Sequence, residues 1–262
     1  MSIFSGTVFS ESLHMGTSIG VILPQDVKSR RVFDESDGAR RAGKPRTLIL
    51  LHGLSDNWAA WPYRSRILSY AENHGVAVIM PEVQRSFYQD MVFGENYFQY
   101  ISEELPRLAA ELFNLSIAPD DLMVAGLSMG GYGALRVGLS HPDRYRAIGA
   151  FSSACWIESL LPHIEDDHPH WDYTPMVHGM FGDPVVVPEN ARIEMLAAKA
   201  AGSGLPIMMT CGTEDGLYPG NVSMFETLKR NRMNVTFDAW SGIHEWGFWD
   251  KSVAMFLDRF AE

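Results

Sequence analysis

The apolar run Leu122 to Leu127 leads straight into Ser128-Met129-Gly130, so that Gly126-Leu127-Ser128-Met129-Gly130 matches G-x-S-x-G between a strand pattern and the helical spacing of Met129 to Ser140. This feature constrains the fold more than any other. The flanking glycines let the backbone turn tightly from strand to helix, which pushes the serine oxygen out of the sheet in a strained conformation that bulkier neighbours would block. Gly131 and Gly133 ease the close packing of that helix on the sheet.

Elements of the same two kinds alternate along the chain. Thr47 to Leu51 and Val76 to Met80 are short continuous apolar runs, the pattern of strands buried on both faces, and Trp61 to Asn73 between them has helical spacing closed by His74-Gly75. The series continues with a helix over Phe98 to Phe113, a strand over Ala147 to Ser152, a helix over Glu189 to Ala201 and a strand over Pro206 to Cys211. A helix over Val222 to Asn231, a strand over Val235 to Trp240 and a helix over Lys251 to Phe260 complete it. Such a series predicts an α/β fold with a mostly parallel central sheet and helices on both faces. Strands around Thr7 to Ser10 and Thr17 to Leu23 suggest an antiparallel opening, and the length of 262 residues suits one domain over 1–262. Trp156 to Pro188, rich in His, Pro, aromatic and acidic residues, fits neither period and is expected as an excursion over the carboxyl edge of the sheet, where ligands bind.

A net charge of −11 argues against a nucleic-acid or anionic-membrane surface. The basic cluster between Lys28 and Arg46 has Asp34, Glu35 and Asp37 mixed into it and is expected as a solvated loop. Cys155 and Cys211 are too few for a disulfide framework and are expected as free thiols. Neither a leader pattern nor an apolar run of membrane-spanning length is present, so a cytoplasmic location without membrane insertion is expected. Oligomeric state stays open, a homo-oligomer included.

A serine hydroxyl is a poor nucleophile at neutral pH and needs a histidine to take its proton and a carboxylate to hold that histidine. In a sheet of this type the chain order is Ser, acid, His. Of nine histidines only His244 follows the best acid, Asp215, and it lies in a loop just past a strand. Glu214 is the adjacent rival. Because successive residues near a strand end point in different directions, only one of the two can face His244, and the shorter Asp215 is favoured; Asp238, within a strand, is weaker. The developing oxyanion needs N–H donors, for which Met129 and Leu54 stand in the right loops, with Gly53 giving the second loop its freedom. His52 reads as a structural residue pinning that loop. Trp156, Trp171 and Trp246 are the tryptophans expected near a substrate pocket. The run His163 to His170 holds metal-ligating residue types, but Pro169 breaks any regular spacing, and no metal is expected.

Taken together, His52-Gly53-Leu54-Ser55-Asp56-Asn57 with Trp58, Pro81-Glu82-Val83-Gln84-Arg85-Ser86-Phe87-Tyr88, Ile101-Ser102-Glu103-Glu104-Leu105-Pro106, Gly126 to Gly133, Gly212-Thr213-Glu214-Asp215 and His244-Glu245-Trp246 resemble one family over nearly the whole chain. That family includes esterase D, S-formylglutathione hydrolases and, most similar, the bacterial tributyrin esterases, within the α/β-hydrolase superfamily. The resemblance implies an α/β-hydrolase fold with no large lid domain that cleaves short-chain acyl esters, including acetyl groups on sugars, without a cofactor. It places the nucleophile on Ser128, the acid on Asp215, the base on His244 and the oxyanion donors on Leu54 and Met129. Two alternatives remain: a thioesterase acting on S-formylglutathione, although the longer loop set of those enzymes is not recognisable here, and a non-catalytic binding protein on the same fold.

Overall fold

The computed structural model describes residues 1–25, 43–163 and 173–261. Eight strands among them form one sheet: β1 (Ser2–Ser10), β2 (Met15–Leu23), β3 (Thr47–Leu51), β4 (Ala77–Pro81), β5 (Leu122–Leu127), β6 (Ala147–Phe151), β7 (Pro206–Gly212) and β8 (Asn234–Trp240). Their spatial order is β1-β2-β4-β3-β5-β6-β7-β8. β1 and β2 form an antiparallel hairpin, β2 runs antiparallel to β4, and every later pairing is parallel.

Strands β3 to β6 are buried along their whole length because helices cover both faces. Side chains alternate across a strand, so in β3 Ile49 and Leu51 enter one core while Leu48 and Leu50 enter the other. The first core packs the sheet against α4 (Leu105–Phe113), α5 (Met129–Ser140), α7 (Ile193–Lys199) and α8 (Tyr218–Arg230) through residues such as Leu135, Leu196 and Leu228. On the other face α1 (Ala60–Arg64), α2 (Ile67–His74) and α9 (Trp246–Phe260) supply Trp61, Ile67, Val253 and Phe256. Each fully buried Leu, Ile or Phe contributes about 1.5–3 kcal/mol, which makes the two-sided cover the main source of stability.

Several boundaries differ from the pattern reading for local reasons. The helix expected over Trp61 to Asn73 is broken at Ser65, whose hydroxyl donates to the Trp61 carbonyl at 2.6 Å and accepts the Ile67 N–H at 3.2 Å, competing with the helical ladder. The helix expected over Phe98 to Phe113 is one rod in three parts: α3 (Tyr97–Gln99), a π-helical turn at Tyr100–Glu104, then α4. That widened turn carries Glu104 to the β1–β2 turn, where its carboxylate accepts the Ser10 hydroxyl and the Glu11 and Ser12 N–H groups. Helix α8 starts at Tyr218 instead of Val222, and α9 at Trp246 instead of Lys251. The excursion after β6 contains a 3₁₀ segment, Ile157–His163, and helix α6 (Thr174–Phe181). Most of the basic stretch, Lys28 to Arg41, lies outside the described residues; Arg46 donates to the Ala261 carbonyl at 2.6 Å.

Among the described residues no helix is long and apolar enough to cross a membrane. Both cysteines are free and buried, and burial pushes each thiol up to about 12.

Candidate active site

The parallel strands end at one edge in close register, Leu51 opposite Gly126, Leu127 opposite Phe151 and Gly212 opposite Trp240. The loops leaving them therefore share one surface. Ser128 follows β5 with φ 53° and ψ −117°, a left-handed conformation that costs a non-glycine residue about 1–3 kcal/mol. Its N–H donates to the Phe151 carbonyl at 2.8 Å, and its own carbonyl accepts the Ala154 N–H at 3.1 Å and the Tyr132 N–H at 3.2 Å. The strained residue is thus held by hydrogen bonds from both sides. A Cβ on Gly126 would lie 2.5 Å from the Gly130 backbone, and one on Gly130 would lie 2.5 Å from the Leu51 carbonyl oxygen. Both positions admit only glycine.

Met129 opens α5, where the first N–H groups of a helix have no intrahelical acceptor and the dipole favours negative charge. Across from it, a Cβ placed on Gly53 would stand 3.8 Å from Ser128 Cβ, so the loop after β3 runs beside the serine. The Leu54 N–H at this point has no acceptor among the described residues. Behind the loop His52 is fully buried; its Nε2 accepts the Val83 N–H at 3.1 Å, which leaves the proton on Nδ1 to donate to the Gly53 carbonyl at 2.8 Å. Burial lowers the His52 pKa from its ordinary 6.5, against the opposing pull of the Gly53 carbonyl and of Glu82 and Asp56.

At the end of β7 the chain separates its two adjacent acids. Glu214 turns outward, accepting the Gly242 N–H at 2.5 Å and the Thr213 hydroxyl at 2.8 Å. Asp215 turns inward, with Oδ2 2.8 Å from His244 Nδ1 and Oδ1 accepting the Leu217 N–H at 2.8 Å. Its side chain is 1% exposed while that of His244 is 36% exposed, so the pair runs from the protein interior outward. Burial acts to raise the Asp215 pKa, but the hydrogen bonds from His244 and Leu217 outweigh it and hold the carboxyl below its ordinary 3.8. Asp238 is elsewhere, paired with Arg259 at 3.2 Å.

The aromatic neighbours differ from expectation. The ring against His244 is Trp249 of α9, edge-on at 4.8 Å between centroids. Trp246 stands one ring further back, T-shaped against Trp249 at 5.3 Å and Trp61 at 5.2 Å. Reading the start of α9 at Trp246 would have revealed Trp249 one helical turn on. Trp156 donates its indole N–H to the Gly220 carbonyl at 3.0 Å, fastening the segment after β6 to α8. Asn221, buried and not singled out by the sequence, fastens the same segment: it accepts the Ser153 N–H at 3.1 Å and donates to the Ser153 carbonyl at 2.9 Å. Trp171 and the run 164–170 lie outside the described residues, and no metal-ligating cluster occurs among the described ones.

Comparison with known proteins identifies the family. The esterase family model, described as "Putative esterase", matches residues 10–259. An acetyl esterase of Caldicellulosiruptor saccharolyticus is 31% identical over 259 residues, spanning 97% of this chain and 96% of its own. The fluorophosphonate-binding serine hydrolase F of Staphylococcus aureus superposes with a TM-score of 0.85 at 28% identity, covering 100% of this chain and 98% of that one. The S-formylglutathione hydrolase FrmB of the same organism gives 0.82 at 28% identity, covering 100% and 99%. With a serine elbow on a mostly parallel sheet and a family match over nearly its whole length, the chain belongs to the esterase family and is a carboxylic ester hydrolase of the α/β-hydrolase fold.

Proposed function

We propose that Ser128, His244 and Asp215 form a catalytic triad that hydrolyses short-chain acyl esters, including acetyl esters of sugars, through an acyl-enzyme. The observation that carries this reading is the 2.8 Å contact between Asp215 Oδ2 and His244 Nδ1 at the sheet edge that also presents Ser128. A carboxylate on Nδ1 keeps the proton there and leaves the Nε2 lone pair free to act as a base. His244 Nε2 then takes the Ser128 proton as Oγ bonds to the ester carbonyl carbon, and the carbonyl electron pair moves onto oxygen. The N–H groups of Leu54 and Met129 stabilise that oxyanion. Collapse of the intermediate breaks the bond to the alcohol, which leaves with the proton from His244. Water repeats the sequence on the acyl-enzyme, releasing the acid and restoring Ser128.

Wild type and Ser128→Ala should be compared on p-nitrophenyl esters from acetate to octanoate, with an acetylated sugar alongside. The reading expects activity that falls with chain length and disappears in the variant. Full activity in Ser128→Ala would refute it.

The likeness to FrmB favours a second reading, thioester hydrolysis of S-formylglutathione by the same residues. A kcat/KM for S-formylglutathione well above that for acetate esters in one preparation would promote it.

A further inference from the structure

The Leu54 N–H and the Gly53 carbonyl belong to a single planar peptide unit and point in opposite directions. Whatever holds the Gly53 oxygen therefore aims the Leu54 N–H. Two donors hold it: His52 Nδ1 at 2.8 Å and the Asp56 N–H at 3.2 Å. His52 is itself gripped at two points by the loop after β4, its Nε2 by the Val83 N–H at 3.1 Å and its carbonyl by the Tyr88 hydroxyl at 2.9 Å.

That loop is also locked to α5, which carries Met129. The Tyr88 ring lies so close to Gly133 that a Cβ there would meet Cδ2 at 2.4 Å. The Tyr88 carbonyl accepts from Nη1 of the buried Arg136, and Gln89 donates to the Tyr132 hydroxyl at 2.7 Å. Gln84, Phe87 and Tyr88 have φ of 53°, 48° and 55°, an uncommon concentration of left-handed backbone in residues with side chains. Strain of this kind persists where surrounding contacts over-determine it, and it clusters at functional sites.

We propose that Tyr88 and His52 are positioning residues that set the spacing and direction of the two oxyanion donors, Met129 N–H and Leu54 N–H. The inference rests on the triad reading above. Tyr88 spans the gap, with its ring on the helix that bears one donor and its hydroxyl on the loop that bears the other. The imidazole of His52 then fixes the rotation of the Leu54 peptide plane.

The test compares wild type, Tyr88→Phe, His52→Asn, His52→Leu and Ser128→Ala on p-nitrophenyl acetate, with rates expressed per folded molecule by near-UV circular dichroism. Inhibition by a trifluoromethyl ketone, which forms a tetrahedral oxyanion on the serine, is measured in parallel. Tyr88→Phe and His52→Leu should lower kcat by about 10- to 100-fold with KM within about twofold, and weaken the ketone by a similar factor. Asparagine can present an N–H where Nδ1 stood, so His52→Asn should recover about tenfold of the kcat lost in His52→Leu. If His52→Leu does not fold, Tyr88→Phe and His52→Asn carry the comparison. Wild-type kcat and ketone affinity in Tyr88→Phe and either His52 variant, with Ser128→Ala inactive, would overturn this inference alone. An active Ser128→Ala would overturn the triad reading and this inference with it.

Discussion

Asp215 and Glu214 are consecutive, yet only Asp215 reaches His244, at 2.8 Å, while Glu214 closes on the Gly242 N–H at 2.5 Å. The first contact orients the imidazole and the second shapes the loop that bears it. Asp215→Asn should therefore lower kcat by about 10³- to 10⁴-fold, because an amide cannot hold the proton on Nδ1 as a carboxylate does. Glu214→Gln keeps one acceptor and should cost less than about tenfold. Steady-state kinetics on p-nitrophenyl acetate checks both. A Glu214→Gln enzyme weaker than Asp215→Asn would reverse the assignment.

The parts of the fold most legible in the sequence are those where one physical demand dominates. β3, β5 and α5 match expectation residue for residue, because a strand buried on both faces must be continuously apolar and the elbow marks both of its ends. The start of α8 was hidden because Pro219-Gly220 reads as a turn. In the structure Pro219 occupies the first helical turn, directly after Asp215 receives the Leu217 N–H. Ser128, Asp215 and His244, the residues proposed as the triad, could be named from the sequence because that chemistry dictates residue type and chain order. Trp249 and Tyr88 were not: Trp249 reaches His244 through the turn into α9, and the Tyr88 contacts with His52 and Gly133 join residues far apart in sequence, of which periodicity carries no record.

The elbow glycines should tolerate nothing larger. A Cβ on Gly126 meets the Gly130 carbonyl carbon and oxygen at 2.5 Å, and these are backbone atoms that cannot swing aside. Gly126→Ala should destabilise by about 3 kcal/mol or more, or fail to yield soluble protein, as overpacking into rigid surroundings does. Gly6→Ala, whose added Cβ meets nothing within 4 Å, is the control and should fold normally. Urea unfolding midpoints would distinguish them, and a Gly126→Ala protein of wild-type stability would contradict the close approach.

Trp249 supports His244 edge-on at 4.8 Å and is 5% exposed. An aromatic pair of this geometry contributes about 0.5–1.5 kcal/mol beyond the area it buries. Trp249→Phe should retain the edge contact and lose less than about threefold in kcat, whereas Trp249→Leu should lose about tenfold as the imidazole gains freedom. Equal kcat in the two variants would show that the ring only fills space.

Acid stability should depend on Glu104. Burial acts to raise its pKa, but the Ser12 N–H, the Ser12 and Ser10 hydroxyls and the Glu11 N–H together outweigh it and hold the carboxyl below its ordinary 4.5. A carboxyl depressed in the folded state binds its proton more readily when unfolded. Its contribution is therefore complete above pH 4.5 and disappears as pH falls through the folded value. In Glu104→Gln the amide NH₂ must face one of the donors at Ser10, Glu11 or Ser12, whichever way it is turned, at a cost of about 1–3 kcal/mol near neutrality. As pH falls from 4.5 through the folded value, the wild-type carboxyl acquires its own O–H in the same cage and suffers the same conflict. Urea titrations from pH 7 to pH 3 should show the gap between wild type and variant closing toward the acid end. A gap that stayed constant across that range would mean that Glu104 holds the β1–β2 turn by shape and not by charge.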